Sequence, residues 1–284
     1  MKPIAFMKFL FLPLFILIFI SASAQYYYND IIGTLETNQQ MRAFTGNKVK
    51  MVSSTGYDAN GVKATDYAEV SEIKENGRAL KITSRTNNNY SAYYNRFDDK
   101  GRLVSIIDSS TAVQSVTTYS YDGASRIVKV QNVVKDSAND FDQTEVHQYY
   151  YNDKGFPERM WRTINNSDSL EIRFTPDDNG NPGDEKTYRH GIENGTVYYY
   201  YDDKHRLTDI VRYNTKYKKL LPDLMFEYDD QDHVIQKVTT TSSLALKYVI
   251  WRFIFGTNGL KTKEALFDDQ KQLTGKIEYT YSYF

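Results

Sequence analysis

An all-β chain of tandem antiparallel β-hairpins is the fold class this sequence predicts, and three observations predict it. A turn motif recurs along most of the length, 25 tyrosines alternate with polar residues, and only 6 prolines and 2 tryptophans interrupt or vary that pattern. Aromatic and polar residues in alternation suit a pleated, half-buried strand better than a helix. The expected architecture is a long curled sheet or open barrel-like shell, with one short N-terminal helix.

The first 24 residues form a separate unit. Lys2 and Lys8 give a basic start, Phe9 to Ile20 is uncharged and apolar, and Ala22 and Ala24 hold the small-residue positions of a cleavage site. This order is that of a secretory signal peptide, and the apolar run is shorter than the ~20 residues a spanning helix needs. Cleavage is expected between Ala24 and Gln25, which places the mature chain outside the cytoplasm: periplasmic, at the cell surface or secreted. Residues 25–52 form an N-terminal segment. Within it Ile31, Ile32, Leu35, Met41 and Phe44 have loose helical spacing between Asn29 and Gly46. Asn29 or Asp30 is available as N-cap, so one short helix is expected, capping the first repeat.

Residues 53–284 carry the repeat: an aromatic, Asp, two or three polar residues, Gly, Arg and an aliphatic. Clear copies are Phe97-Asp98-Asp99-Lys100-Gly101-Arg102-Leu103 and Tyr201-Asp202-Asp203-Lys204-His205-Arg206-Leu207; others begin at Tyr57, Tyr121, Tyr151, Tyr228 and Phe267. The glycine-equivalent positions are Gly61, Gly77, Gly101, Ser125, Gly155, Gly180, His205, Asp232, Gly259 and Lys271. Successive copies lie mostly 24 to 30 residues apart, and the short steps at either end suggest atypical terminal units. Chemically this is a tight turn: Asp accepts backbone N–H groups at the opening, and a positive-φ residue closes it. A type I turn ending on such a residue makes a hairpin with a G1 bulge. After the turn, aliphatics fall three apart (Leu103 and Ile106, Ile127 and Val130, Leu207 and Ile210), which either a bulge or burial on both faces accommodates.

The Tyr-Asp-x-x-Gly-Arg-aliphatic core resembles the YD (RHS) repeat of bacterial surface and toxin-delivery proteins. That resemblance implies a strip of hairpins that curls into a shell. The chain is also similar to uncharacterised exported proteins of Gram-negative bacteria with porin-like hairpin sheets. The array here is short and ends inside a strand, Glu278 to Phe284, so no released toxin domain is expected and the delivery role is not carried over.

Composition narrows the function. With no cysteine, disulfides, thiolate metal sites and a Cys nucleophile are excluded. A net charge of −1 from 35 basic and 36 acidic residues gives no broad attraction to nucleic acid or anionic lipid. The recurrent Asp-Asp pairs follow from turn chemistry, whereas glycosidase carboxylates must converge across a sugar. His147, His190, His205 and His233 form no ligand spacing, and no nucleophile elbow, P-loop or dinucleotide fingerprint occurs. No catalytic residue, metal or cofactor is expected. The tyrosine runs are the surface candidates: Tyr149 and Tyr151, and likewise Tyr199 and Tyr201, share one strand face. They read either as a cross-strand aromatic ladder or as a stacking platform for ligand. A membrane barrel is disfavoured, because Val211 to Lys218 cannot supply an apolar outer face. The sequence therefore predicts an exported, non-enzymatic scaffold or binding module, with a glycan, peptide or surface protein as partner and no integral membrane insertion. The alternative is a glycan-binding or carbohydrate-active protein using a Tyr-lined concave face.

Overall fold

The computed structural model describes residues 26–87, 89–109, 113–136, 139–242 and 247–284; the leader and its cleavage point lie outside them. A helix, α1 (Asn29–Gly46), is followed by eighteen strands among the described residues. These are β1 (Val49–Asp58), β2 (Tyr67–Lys74), β3 (Ala79–Thr86), β4 (Asn89–Phe97), β5 (Leu103–Ser109) and β6 (Gln114–Tyr121). Next come β7 (Ile127–Asp136), β8 (Phe141–Tyr151), β9 (Pro157–Ile164), β10 (Asp168–Pro176), β11 (Pro182–Arg189) and β12 (Ile192–Tyr201). The series ends with β13 (Leu207–Asn214), β14 (Lys219–Tyr228), β15 (Val234–Ser242), β16 (Lys247–Phe255), β17 (Lys261–Phe267) and β18 (Leu273–Tyr283).

Each strand pairs antiparallel with its sequence neighbours, and β18 pairs with β1 from Val49↔Tyr283 to Asp58↔Gly275. The sheet is therefore a closed up-and-down barrel. Of the two expected forms, curled sheet or open shell, the openness is corrected: the β1–β18 ladder leaves no free edge.

The motif turns show why the sequence folds this way. In Phe97–Leu103, the Gly101 N–H donates to the Asp98 carbonyl at 2.9 Å and the Asp98 N–H to the Arg102 carbonyl at 2.9 Å. Asp98 Oδ1 accepts the N–H groups of Lys100 and Arg102, and Oδ2 accepts Arg102 Nε at 2.8 Å. The Asp thus satisfies the turn backbone and fixes the Arg. The closing residue has positive φ, whether Gly101 (71°), His205 (61°), Asp232 (64°), Ser125 (66°) or Lys271 (61°). Gly61, Gly77, Gly155, Gly180 and Gly259 take the same region. Gly77 has a second reason, because a Cβ there would meet the Thr45 methyl at 2.7 Å.

A bulge follows each full turn. Phe97 pairs with Leu103 but Arg96 pairs with Ser105, so Val104 is extra; Val128 and Thr208 are extra in the same way. The bulge, not burial on both faces, brings aliphatics three apart onto one wall. At Thr208, Thr262 and Thr274 the hydroxyl donates to a carbonyl of the preceding strand.

Neighbouring hairpins are then stapled at the rim. Arg102 lies over the Tyr121 ring at 4.4 Å and the Tyr121 hydroxyl donates to the Leu103 carbonyl at 2.6 Å. Arg126 with Tyr151, and Arg206 with Tyr228, repeat both contacts. At Asp229 the Arg position is His233, which stacks on Phe255 at 4.4 Å.

Because the strands alternate in direction, the turns at Gly77, Gly101, Ser125, Gly155, Gly180, His205, Asp232 and Gly259 share one rim. Gly61 joins β1 to β2 and Lys271 joins β17 to β18, at the opposite rim. The short steps are thus half-periods around a ring, not atypical terminal units.

Replacing Asp98 by Ala is expected to lower stability by about 1–2 kcal/mol, since it orphans turn N–H groups. Lys271→Gly should raise it by about 1 kcal/mol by relieving a left-handed backbone. Urea denaturation of each variant checks both signs.

Candidate functional site

The lumen is the one place where side chains from many strands converge, and α1 lies within it. Thr34, Asn38, Met41 and Phe44 form the buried stripe of the helix, whereas Leu35 is exposed, so the apolar spacing alone misassigns one face. Contacts run to opposite walls. Asn38 Oδ1 accepts the Leu103 N–H at 2.8 Å, Phe44 packs on Tyr281, and Asn47 Nδ2 donates to the Asn258 carbonyl. All these partners sit at or near the motif-turn rim, so α1 crosses that mouth of the barrel as a plug. It does not merely cap the first repeat. Its N-cap is Tyr28, with no side-chain cap, in place of the expected Asn29 or Asp30.

Two networks hold the start of the helix. In the first, Asp30 Oδ2 accepts from His147 Nδ1 at 2.6 Å and from the Tyr149 hydroxyl at 2.8 Å. His147 Nε2 bonds Glu145 Oε1, and Arg162 binds both Glu145 oxygens at 2.8 and 2.9 Å. In the second, the fully buried Glu185 accepts the N–H groups of Tyr27 and Tyr28 and the Tyr199 hydroxyl, at 2.8–3.0 Å. Three donors converging on one carboxylate oppose the burial that pushes its pKa up.

The predicted platform tyrosines come together on this inner wall, beneath α1 and the segment leading into it. Tyr149 and Tyr199 are buried, and their hydroxyls go to Asp30, the Tyr27 carbonyl and Glu185. Tyr151 and Tyr201 donate to the carbonyls of Ile127 and Pro182. Tyr28 meets Tyr199 edge-on at 5.5 Å, and Tyr149 stacks on Phe174. Protein therefore occupies the position a ligand would take on these rings. Sequence reasoning missed the charged members Glu145, Arg162 and Glu185, and weighed His147 only as a metal ligand. Only His147 carried a local signal, an aromatic two residues along its strand at Tyr149; Glu145, Arg162 and Glu185 have none.

A second group lies on the β2, β17 and β18 wall. Glu264 is fully buried, with Oε1 on Lys261 Nζ at 2.5 Å and Oε2 unpartnered. Glu69 is buried beside it, and desolvation together with the Glu264 charge raises its carboxyl to about 7. Among the described residues no group of three His, Cys, Asp or Glu is placed to hold a metal ion.

The first network defines a pH window. Burial alone would lower His147, but Asp30 and Glu145 outweigh it and raise the imidazole to about 9. Its stabilisation is full below ~6.5, the free value, and is lost as pH rises through 9. Glu145 is opposed by desolvation but held at about 2 by His147 and Arg162, so its contribution is lost as pH falls through 2. NMR titration should show His147 protonated at pH 8. Glu69 has the opposite sense to Glu145: its stabilising share is full below the free value and is lost as pH rises through 7. Glu69→Gln should therefore leave the melting temperature near wild type at pH 5 and raise it at pH 8.

Residues 97–133 match the RHS repeat family, a stretch running from the end of β4 into β7. No curated protein matches the chain. Among solved structures, the chain is similar to a porin-like protein of Bacteroides uniformis, at 11% identity over 83% of this chain and 97% of that one, with a TM-score of 0.42. A porin-like protein of Bacteroides vulgatus aligns at 10% identity over 83% and 99% of the two chains, TM-score 0.35. The Tc holotoxin pore of Photorhabdus luminescens aligns at 11% identity over 76% of this chain, TM-score 0.34. This chain spans 12% of the length of that toxin chain.

Proposed function

We propose that this β-repeat protein is an exported, non-enzymatic binding module: a plugged barrel that works as a rigid scaffold outside the cytoplasm. The observation that carries the reading is the commitment of the lumen. The helix plug and the segment before it engage Tyr149, Tyr199 and the Asp30–His147–Glu145–Arg162 chain, and Tyr151 and Tyr201 are held by strand carbonyls. Both ring nitrogens of His147 are bonded to carboxylates within 2.8 Å, so the imidazole has no lone pair or proton to offer a substrate. Recognition then falls to the outer wall.

The outer wall also supports a barrel that is not integral to a membrane. Arg159, Arg173, Lys186, Arg252 and Lys276 occupy outward positions within their strands, between inward residues such as Met160, Ile172, Glu185, Phe253 and Ile277. A lysine or arginine facing lipid at the bilayer midplane costs about 2–4 kcal/mol. The glycan-binding alternative keeps its support from aromatic residues, but on this convex face instead of the concave one.

Expression of the full chain in a Gram-negative host tests the reading. Intact mass of the product should begin at Gln25, the protein should be recovered from the periplasmic or culture fraction without detergent, and a glycoside-hydrolase screen should show no turnover. Retention with the leader attached, extraction only in detergent, or substrate hydrolysis would each overturn it.

A further inference from the structure

One part of the outer wall carries more charge than the fold needs. Strand register places Tyr150 opposite Arg159, Arg159 opposite Arg173, and Arg173 opposite Lys186, across β8 to β11. Three cations thus stand side by side at the strand spacing of about 4.8 Å. Like charges directly opposite one another destabilise a sheet. One carboxylate in the next row offsets part of this: Glu171 accepts Arg173 at 2.8 Å and lies 3.7 Å from Arg159. Lys186 has no acidic partner among the described residues.

The neighbouring row carries two aromatic rings. It runs from Gln148 through Trp161 and Glu171 to Tyr188. Trp161 and Tyr150 are exposed, at 36% and 50%, although rings of that size would stabilise the core if buried. Arg173 stacks on Tyr188 at 4.4 Å, which fixes its guanidinium along the wall. Exposed rings beside a regular line of cations, two of them arginines, form a surface without an internal purpose.

We infer that the row Arg159–Arg173–Lys186, with Tyr150, Trp161 and Tyr188, is a binding site for an extended acidic glycan. The rings stack on the apolar faces of pyranose units, and the cations meet carboxylate or sulfate groups, with Arg presenting its fork to two oxygens at once. Glu171 decides between polyanions. A carboxylate beside the cation row accepts sugar hydroxyls but repels the closely spaced phosphates of a nucleic-acid strand. The inference rests on the binding-module reading and names its ligand class.

The test is calorimetric titration of the full processed chain with four probes: a polygalacturonate oligomer, a sulfated heparin fragment, a neutral β-glucan oligomer and a single-stranded oligonucleotide. Binding is expected to one or both acidic glycans, which separates carboxylate from sulfate, and should weaken as salt rises. Arg159→Gln with Lys186→Gln should reduce affinity at least tenfold, as should Trp161→Ala. Lys186→Gln alone serves as the variant that disturbs no internal contact, and should weaken binding severalfold with an unchanged melting temperature. Wild-type affinity in these variants, or tighter binding of the oligonucleotide, would overturn the site. Binding of the neutral glucan alone overturns it too, yet leaves the binding-module reading standing. Hydrolysis of any probe sinks that reading instead.

Discussion

The barrel depends on one recurring interaction, the aspartate that holds its own turn and, through an arginine, reaches the next hairpin. Asp98, Asp122 and Asp202 each accept backbone N–H groups and grip an Arg four residues on; that Arg lies over the tyrosine that opens the following copy. The hydrogen bonds with Arg206 and the turn backbone hold Asp202 below the ordinary carboxylate range. A turn that was only tight would make independent hairpins. A turn whose Arg and Tyr interlock sets the spacing between hairpins, and the bulge after it sets which side chains face inward. Period, register and curvature therefore share one local cause.

The same locality explains what could be read from the chain. Asp and Gly announced the turns, and even His205 and Asp232 were recognisable as stand-ins because their places were fixed by the motif. Closure of the sheet was not readable, because nothing in β1 names β18 as its partner; their ladder follows from the number of repeats and the twist they accumulate. The bounds of α1 matched its apolar spacing, but its position did not follow. Its anchors, Glu185 and His147, are 158 and 117 residues away from Tyr27 and Asp30. The tyrosine pairs were correctly grouped by face, yet alternation alone could not say that a helix would cover that face. Gly61 and Lys271 read as atypical terminal units, since a sequence does not display which rim a turn occupies.

The charged residues around the start of the helix and those on the outer wall follow different physical rules. The inner ones, Glu145, His147, Arg162 and Glu185, are partnered on nearly every polar atom, as burial requires. Such a network contributes less to net stability than to uniqueness: it accepts one orientation of one helix. The outer ones can remain loosely paired because water solvates them, and their arrangement is free to answer to something other than folding. The contrast between the saturated Glu145 and Lys186, which has no acidic partner among the described residues, separates structure from recognition more clearly than residue type does.

The ring of pairings has a consequence for how the molecule is assembled. Seventeen ladders join strands adjacent in the chain and can form as soon as each hairpin is complete. The eighteenth, β1 with β18, must wait for the last strand and close a loop spanning nearly the whole described chain. Until then the intermediate is a twisted ribbon with two bare selvedges, each able to recruit the complementary selvedge of another molecule. Crowded, half-assembled copies would then zip into larger rings or open chains, so dilution and prompt completion favour the monomer.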